Sequence, residues 1–121
     1  MTFSSEISLP EGVSLPSGML FVTFQNEVFA QIAKDFQLDE KESQTPFNVW
    51  MENEIRSNPD RIHASFYRLD LGEENVNNAL KIEDASMRSL LLAEQSIQRA
   101  VLKVLTRFNY ALTNRLNSTK N

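Results

Sequence analysis

The sequence predicts an all-α protein, a small bundle of four to five helices with a long C-terminal helix and an extended N-terminal tail. Three observations carry this. Apolar residues recur every three or four positions from Phe21 to Phe36. Proline twice follows a capping-type residue, at Thr45-Pro46 and Asn58-Pro59. Finally, more than 30 residues from Asp84 to Leu116 contain neither proline nor glycine. The 121 residues suit one domain, which at this size buries roughly two-thirds of its unfolded surface. The expected division is a tail over 1–18 and a helical domain over 19–121.

The tail contains an internal echo, Ser8-Leu9-Pro10-Glu11-Gly12 and then Ser14-Leu15-Pro16-Ser17-Gly18. That much proline and glycine opposes helix. Ile7, Leu9, Val13 and Leu15 are spaced to dock in a groove, but a frayed terminus is preferred because nothing local holds the segment down.

The first helix is expected over Leu20–Leu38, with Phe21, Phe24, Val28, Ile32 and Phe36 inward, Phe29 and Ala33 beside them, and Gln31, Lys34 and Asp35 elsewhere on the wheel. Leu20 to Phe24 would also suit a strand, but no strong second strand is available to pair with it. The acidic stretch Asp39 to Ser43 is a loop. Thr45 is expected to cap a second helix over Pro46–Ser57, with Phe47, Trp50, Met51 and Ile55 buried. Asn58, Pro59 and Asp60 then open a third helix whose stripe is Ile62, Phe66 and Leu69. Gly72 breaks it before a short fourth helix through Val76, Ala79 and Leu80.

The last helix carries Leu90, Ile97, Val101, Val104, Leu105, Phe108 and Leu112 within about 60° of one line, at about 100° per residue. Glu94 and Arg115 fall inside that stripe, so Glu94 is expected to be buried against an arginine. Leu92 and Tyr110 fall opposite it.

Several of these residues form a pattern: Trp50, Phe66-Tyr67-Arg68-Leu69-Asp70-Leu71, Glu73, Ala79-Leu80, Leu91-Leu92-Ala93-Glu94 and Arg107-Phe108. Over about residues 47–110 the chain resembles short uncharacterised helical proteins of Bacteroidota, marked by an aromatic-Arg-aliphatic-Asp segment. The resemblance implies an all-helical cytoplasmic domain and assigns no reaction.

Composition narrows the chemistry. With no cysteine and one histidine, His63, thiolate catalysis, iron–sulfur clusters and Cys/His zinc sites are excluded. No catalytic residue, cofactor or metal is expected. Glycine-rich phosphate loops and nucleophile elbows are missing from the sequence. The acid pairs Glu40/Glu42, Glu52/Glu54 and Glu73/Glu74 read as solvated surface. Residues Tyr67, Arg68, Asp70 and Glu94 form the densest polar group, read as a structural corner in which Arg68 bonds Glu94 or Asp70 and Asp70 caps the fourth helix.

Charge is uneven: residues 1–80 carry 13 acids and 5 bases, residues 81–121 carry 3 and 7. The halves are therefore −8 and +4, which suits either a basic binding face or two parts of one fold that attract each other. Arg88, Arg99, Lys103, Arg107 and Tyr110 could track a polyanion, but the helix after Gly72 opens with Glu73 and Glu74, so nucleic acid is the second reading. The first is a noncatalytic interaction or assembly protein, with a protein partner or self-association through Leu92, Arg99, Lys103, Arg107, Phe108, Tyr110, Leu112 and Leu116. No secretory signal pattern or bilayer-spanning run is seen, so a cytoplasmic, non-membrane protein is expected.

Overall fold

A computed structural model describes residues 7–119, with side chains to Asn109. It contains α1 (Phe21–Asp35), α2 (Phe47–Ser57), α3 (Pro59–Leu69), α4 (Glu73–Leu80) and α5 (Ala85–Thr119), with a 3-10 turn at Glu42–Gln44. Among the described residues there is no strand, and the all-α expectation holds. The long helix α5 packs against each of the other four, so it is the axis of the bundle.

Helix α1 buries Phe24, Val28 and Ile32 completely, and Phe36, the residue that caps its C-terminus, is buried with them. Gln31 and Asp35, expected outside, are also buried, and Phe21, expected inside, is 43% exposed. The helix ends without glycine. Leu38 donates its N–H to the Ala33 carbonyl and Gln37 to that of Lys34, a Schellman closure that places Gln37 at φ +52°. Helix α3 closes identically through Leu71 to Phe66 and Asp70 to Tyr67, with Asp70 at φ +60°.

The predicted Thr45 cap does not form. Pro46 takes the position before α2, with no side-chain cap. Phe47, Trp50 and Met51 still point inward, because an aromatic hub fixes this corner. The Phe36 ring meets Phe47, Trp50 and Phe66 edge-on at 5.3, 5.6 and 5.9 Å. Such geometry sets the positive ring edge against a negative face.

The face expected for α5 holds for Ile97, Val101, Val104 and Leu105, but the buried strip is centred further round the helix, towards Leu92 and Ala93. Its buried positions are Ser89, Leu92, Ala93, Ser96, Ile97, Ala100, Val101, Val104 and Leu105, while Leu90 is 37% exposed and Glu94 lies on the surface. The serine hydroxyls are satisfied by their own helix: Ser96 donates to the Leu92 carbonyl and Ser89 to that of Ser86. Small residues let neighbouring helices approach closely, so the core strip runs along a line of serine and alanine. Leu92, assigned to the partner surface, is fully buried.

The tail is docked rather than frayed over its described part. Ile7 is 5% exposed, and Leu9, Leu15 and Met19 pack against the core. The echo builds two equivalent turns, closed by Val13 N–H to the Pro10 carbonyl and Met19 N–H to the Pro16 carbonyl, each at 3.1 Å. Gly12 and Gly18 sit third in these turns at φ +77° and +84°, the conformation that a type II turn requires of glycine.

Candidate functional site

Two polar clusters and one groove hold the chemistry. The first cluster begins where Asp39 and Glu42 bond each other's backbone: Glu42 N–H donates to Asp39 Oδ1 at 2.7 Å and Asp39 N–H to Glu42 Oε1 at 3.2 Å. This is a capping box on the 3-10 turn. The Glu42 carboxylate then receives Trp50 Nε1–H at 2.7 Å and both Arg61 terminal nitrogens at 3.0 and 3.1 Å. Arg61 also donates to the Gln37 carbonyl at 3.0 Å, lies 3.5 Å from Glu54 and stands over the Trp50 ring at 5.6 Å. The Arg61 hydrogen bond, with smaller help from Trp50 and Asp39 N–H, outweighs burial and lowers the Glu42 pKa from 4.5 to about 2. The same pairing raises that of Arg61. A carboxylate held ionised by four donors is a poor proton acceptor near neutrality. Its role is to staple the loop after α1 onto α2 and α3.

Of the acids expected on solvated surface, Glu42 is bound by Arg61 and Trp50, and Glu54 is 8% exposed. The Asp39-x-x-Glu42 spacing was the signal available for the capping box. Nothing local announces the Arg61 bridge, which spans 19 residues.

The second cluster joins α1, α3 and α5 through a ladder of cations one helical turn apart. Arg99 pairs with Asp70 at 2.9 Å. Lys103 pairs with Asp35 at 3.1 Å and donates to the Arg68 carbonyl at 2.9 Å. Arg107 pairs with Glu27 at 3.1 Å and donates to Gln31 Oε1 at 3.0 Å. Gln31 in turn donates to Asp35 at 2.8 Å. Arg88 lies outside this ladder and donates to the Ile82 carbonyl at 3.4 Å. Three of the seven bases of residues 81–121 thus face acids of residues 1–80, so part of the charge asymmetry along the chain is used within the fold.

The expected corner of Tyr67, Arg68, Asp70 and Glu94 does not assemble. Arg68 donates Nε–H to the Asp35 carbonyl at 2.8 Å and Nη2–H to Ser65 Oγ at 3.0 Å, touching neither Glu94 nor Asp70. Asp70 caps no helix: Gly72 precedes α4 without a side-chain cap. Tyr67 is 87% exposed. Of the surface assigned to a partner, Phe108 packs partly against the core, and the side chains of Tyr110, Leu112 and Leu116 lie outside the described residues.

Between α3 and α4 runs an open groove of about 490 Å³ lined by His63, Phe66, Tyr67, Asp70, Glu73 and Val76, among others. His63 is exposed and stands edge-on to Phe66 at 6.5 Å. Among the described residues no group of His, Asp and Glu is placed to hold a metal ion, and no helix is long and apolar enough to cross a membrane. Compared with family models, curated proteins and solved structures, the chain matches none of them.

Proposed function

We propose that this chain is a noncatalytic cytoplasmic protein whose work is helical protein–protein interaction, including pairing with a second copy of itself. The observation that carries the reading is an apolar first turn of α1 left open to solvent. Leu20, Phe21 and Val22 are 67, 43 and 57% exposed. The Glu27–Arg107 and Asp35–Lys103 pairs show that α1 and α5 run antiparallel. By these pairs the position on α5 that matches Phe21 falls between Thr113 and Asn117, and α5 continues to Thr119, about 3 to 9 Å further at 1.5 Å per residue. The open turn thus lies at the end of the bundle where α5 outruns its neighbour, a place suited to a partner helix. The first cluster and the ladder tie helices together, which favours a binding role over a reaction. A nucleic-acid role on the basic face draws little support, because Arg99, Lys103 and Arg107 each face a carboxylate and would have to leave it to reach a phosphate.

Light scattering on the purified chain at tens of micromolar tests the proposal. A mass above that of one chain is expected, falling to a single chain in Phe21→Glu/Val22→Glu with unchanged helical circular dichroism. A strictly monomeric parent that also retains no partner in a native-cell pull-down would sink it.

A further inference from the structure

We infer that the groove between α3 and α4 is a docking site for an arginine side chain on a basic segment of a partner protein. Its floor is apolar, since Phe66 and Val76 are 2 and 4% exposed. Its rim offers the two things a guanidinium recognises. One is an aromatic face: the Tyr67 ring is 87% exposed, and the structure gives its hydroxyl no bond. The other is negative charge, from Asp70 and from Glu73 in the first turn of α4. Asp70 spends Oδ2 on Arg99, yet its side chain is still 76% exposed, which leaves Oδ1 for an incoming donor. Neither lysine nor arginine lines the groove.

Arginine fits this chemistry better than lysine, because a planar guanidinium can lie on a ring and fork to a carboxylate at once. The start of α4 opens on the same groove and by itself favours an anion. Glu73 and Glu74 already occupy that turn, so an anionic ligand would meet two like charges. The net charge of −4 points the same way, since steering favours a basic partner. This inference is independent of self-association, which uses a different part of the surface.

The test titrates acetyl-Gly-Arg-Gly-amide into the full ¹⁵N-labelled chain at physiological salt, with the glutamate counterpart as control. The arginine peptide should move the amides of Phe66, Tyr67, Asp70, Gly72 and Glu73, and the glutamate peptide should not. Tyr67→Phe should keep the binding, while Tyr67→Ala and Glu73→Gln should each weaken it by up to about fivefold. Tyr67 and Glu73 are exposed, so both variants should stay folded, as their spectra will report. Equal shifts with both peptides, shifts confined to other surfaces, or unchanged affinity in both weakened variants would overturn the inference. Because the readout follows groove amides and not mass, its failure leaves the self-association reading untouched.

Discussion

The Lys103 ammonium sits 3.1 Å from the buried carboxylate of Asp35 and donates to the Arg68 carbonyl at 2.9 Å, so one side chain on α5 holds the last turns of both α1 and α3. Asp35 is 5% exposed and, among the described residues, receives one further side-chain donor, Gln31. A carboxylate in that position depends on its cation, because a buried charge without a partner is costly.

Lys103→Met should therefore lower stability by about 2 kcal/mol, somewhat less than for a fully dry pair because the lysine side chain is 28% exposed. Asp35→Asn/Lys103→Met should cost less than the two single changes added together. Urea melts of all four proteins measure the coupling, and strict additivity would show that the pair contributes nothing.

Glu42 links stability to acid. Its folded-state pKa is lowered from 4.5 to about 2, so its contribution is complete above about pH 4.5 and is lost as pH falls from there towards 2. Both partners are partly solvated, at 21 and 34%, so the loss should be about 1 to 2 kcal/mol after screening. Glu42→Gln should be less stable than the parent at pH 7, and the difference should shrink on acidification. Trp50 fluorescence provides the probe, since its indole donates to this carboxylate. A constant difference from pH 6 to pH 2.5 would contradict the assignment.

The class of fold, the five helices and the stripe of α1 through Phe24, Val28, Ile32 and Phe36 are legible from periodicity, because those side chains are large and apolar. The face of α5 is legible only in part, through Ile97, Val101, Val104 and Leu105. Ser89, Ala93, Ser96 and Ala100 carry little hydrophobic weight, so Leu90 draws the apparent stripe round the helix and brings Glu94 into it. The polar clusters are less legible still. The Arg61–Glu42 bridge spans 19 residues and the Lys103–Asp35 pair 68; sequence spacing carries no information about partners that only the fold brings together.

The corrected face of α5 has a direct consequence. Glu94→Ala should change stability by less than about 0.5 kcal/mol, as an exposed substitution in a helix. Leu92→Ala should cost about 2 to 5 kcal/mol, and Ala100→Leu about 1 to 3 kcal/mol through overpacking. Thermal melts that reversed the order of Glu94 and Leu92 would restore the original phase.

Gln37 occupies the left-handed region at φ +52°, where a side chain costs about 1 to 2 kcal/mol. Its carbonyl, which accepts from Arg61, survives any substitution. Gln37→Gly should thus stabilise the protein by about 1 kcal/mol. Denaturant midpoints unchanged or lowered would mean that the glutamine side chain contributes a contact of its own.

The docked tail should behave as a separable latch. Ile7 belongs to the core, and Ser8, Leu9 and Pro10 border a shallow surface with Gln98, Val101 and Leu102 of α5. The segment is joined to the bundle by two turns that need glycine at Gly12 and Gly18. Because it packs through few side chains and no regular hydrogen-bond ladder, its local opening should require less free energy than global unfolding. Ile7→Ser should raise amide exchange at Val13 and Met19, whose N–H groups close the turns, while exchange at Ile32 and Val104 in the core follows only the global stability. Gly18→Ala should act in the same direction by about 1 kcal/mol, through backbone strain alone, since an added Cβ would meet no atom within 4 Å. Uniform acceleration across α1 and α5 in both variants would show instead that the tail is part of one cooperative unit with the bundle.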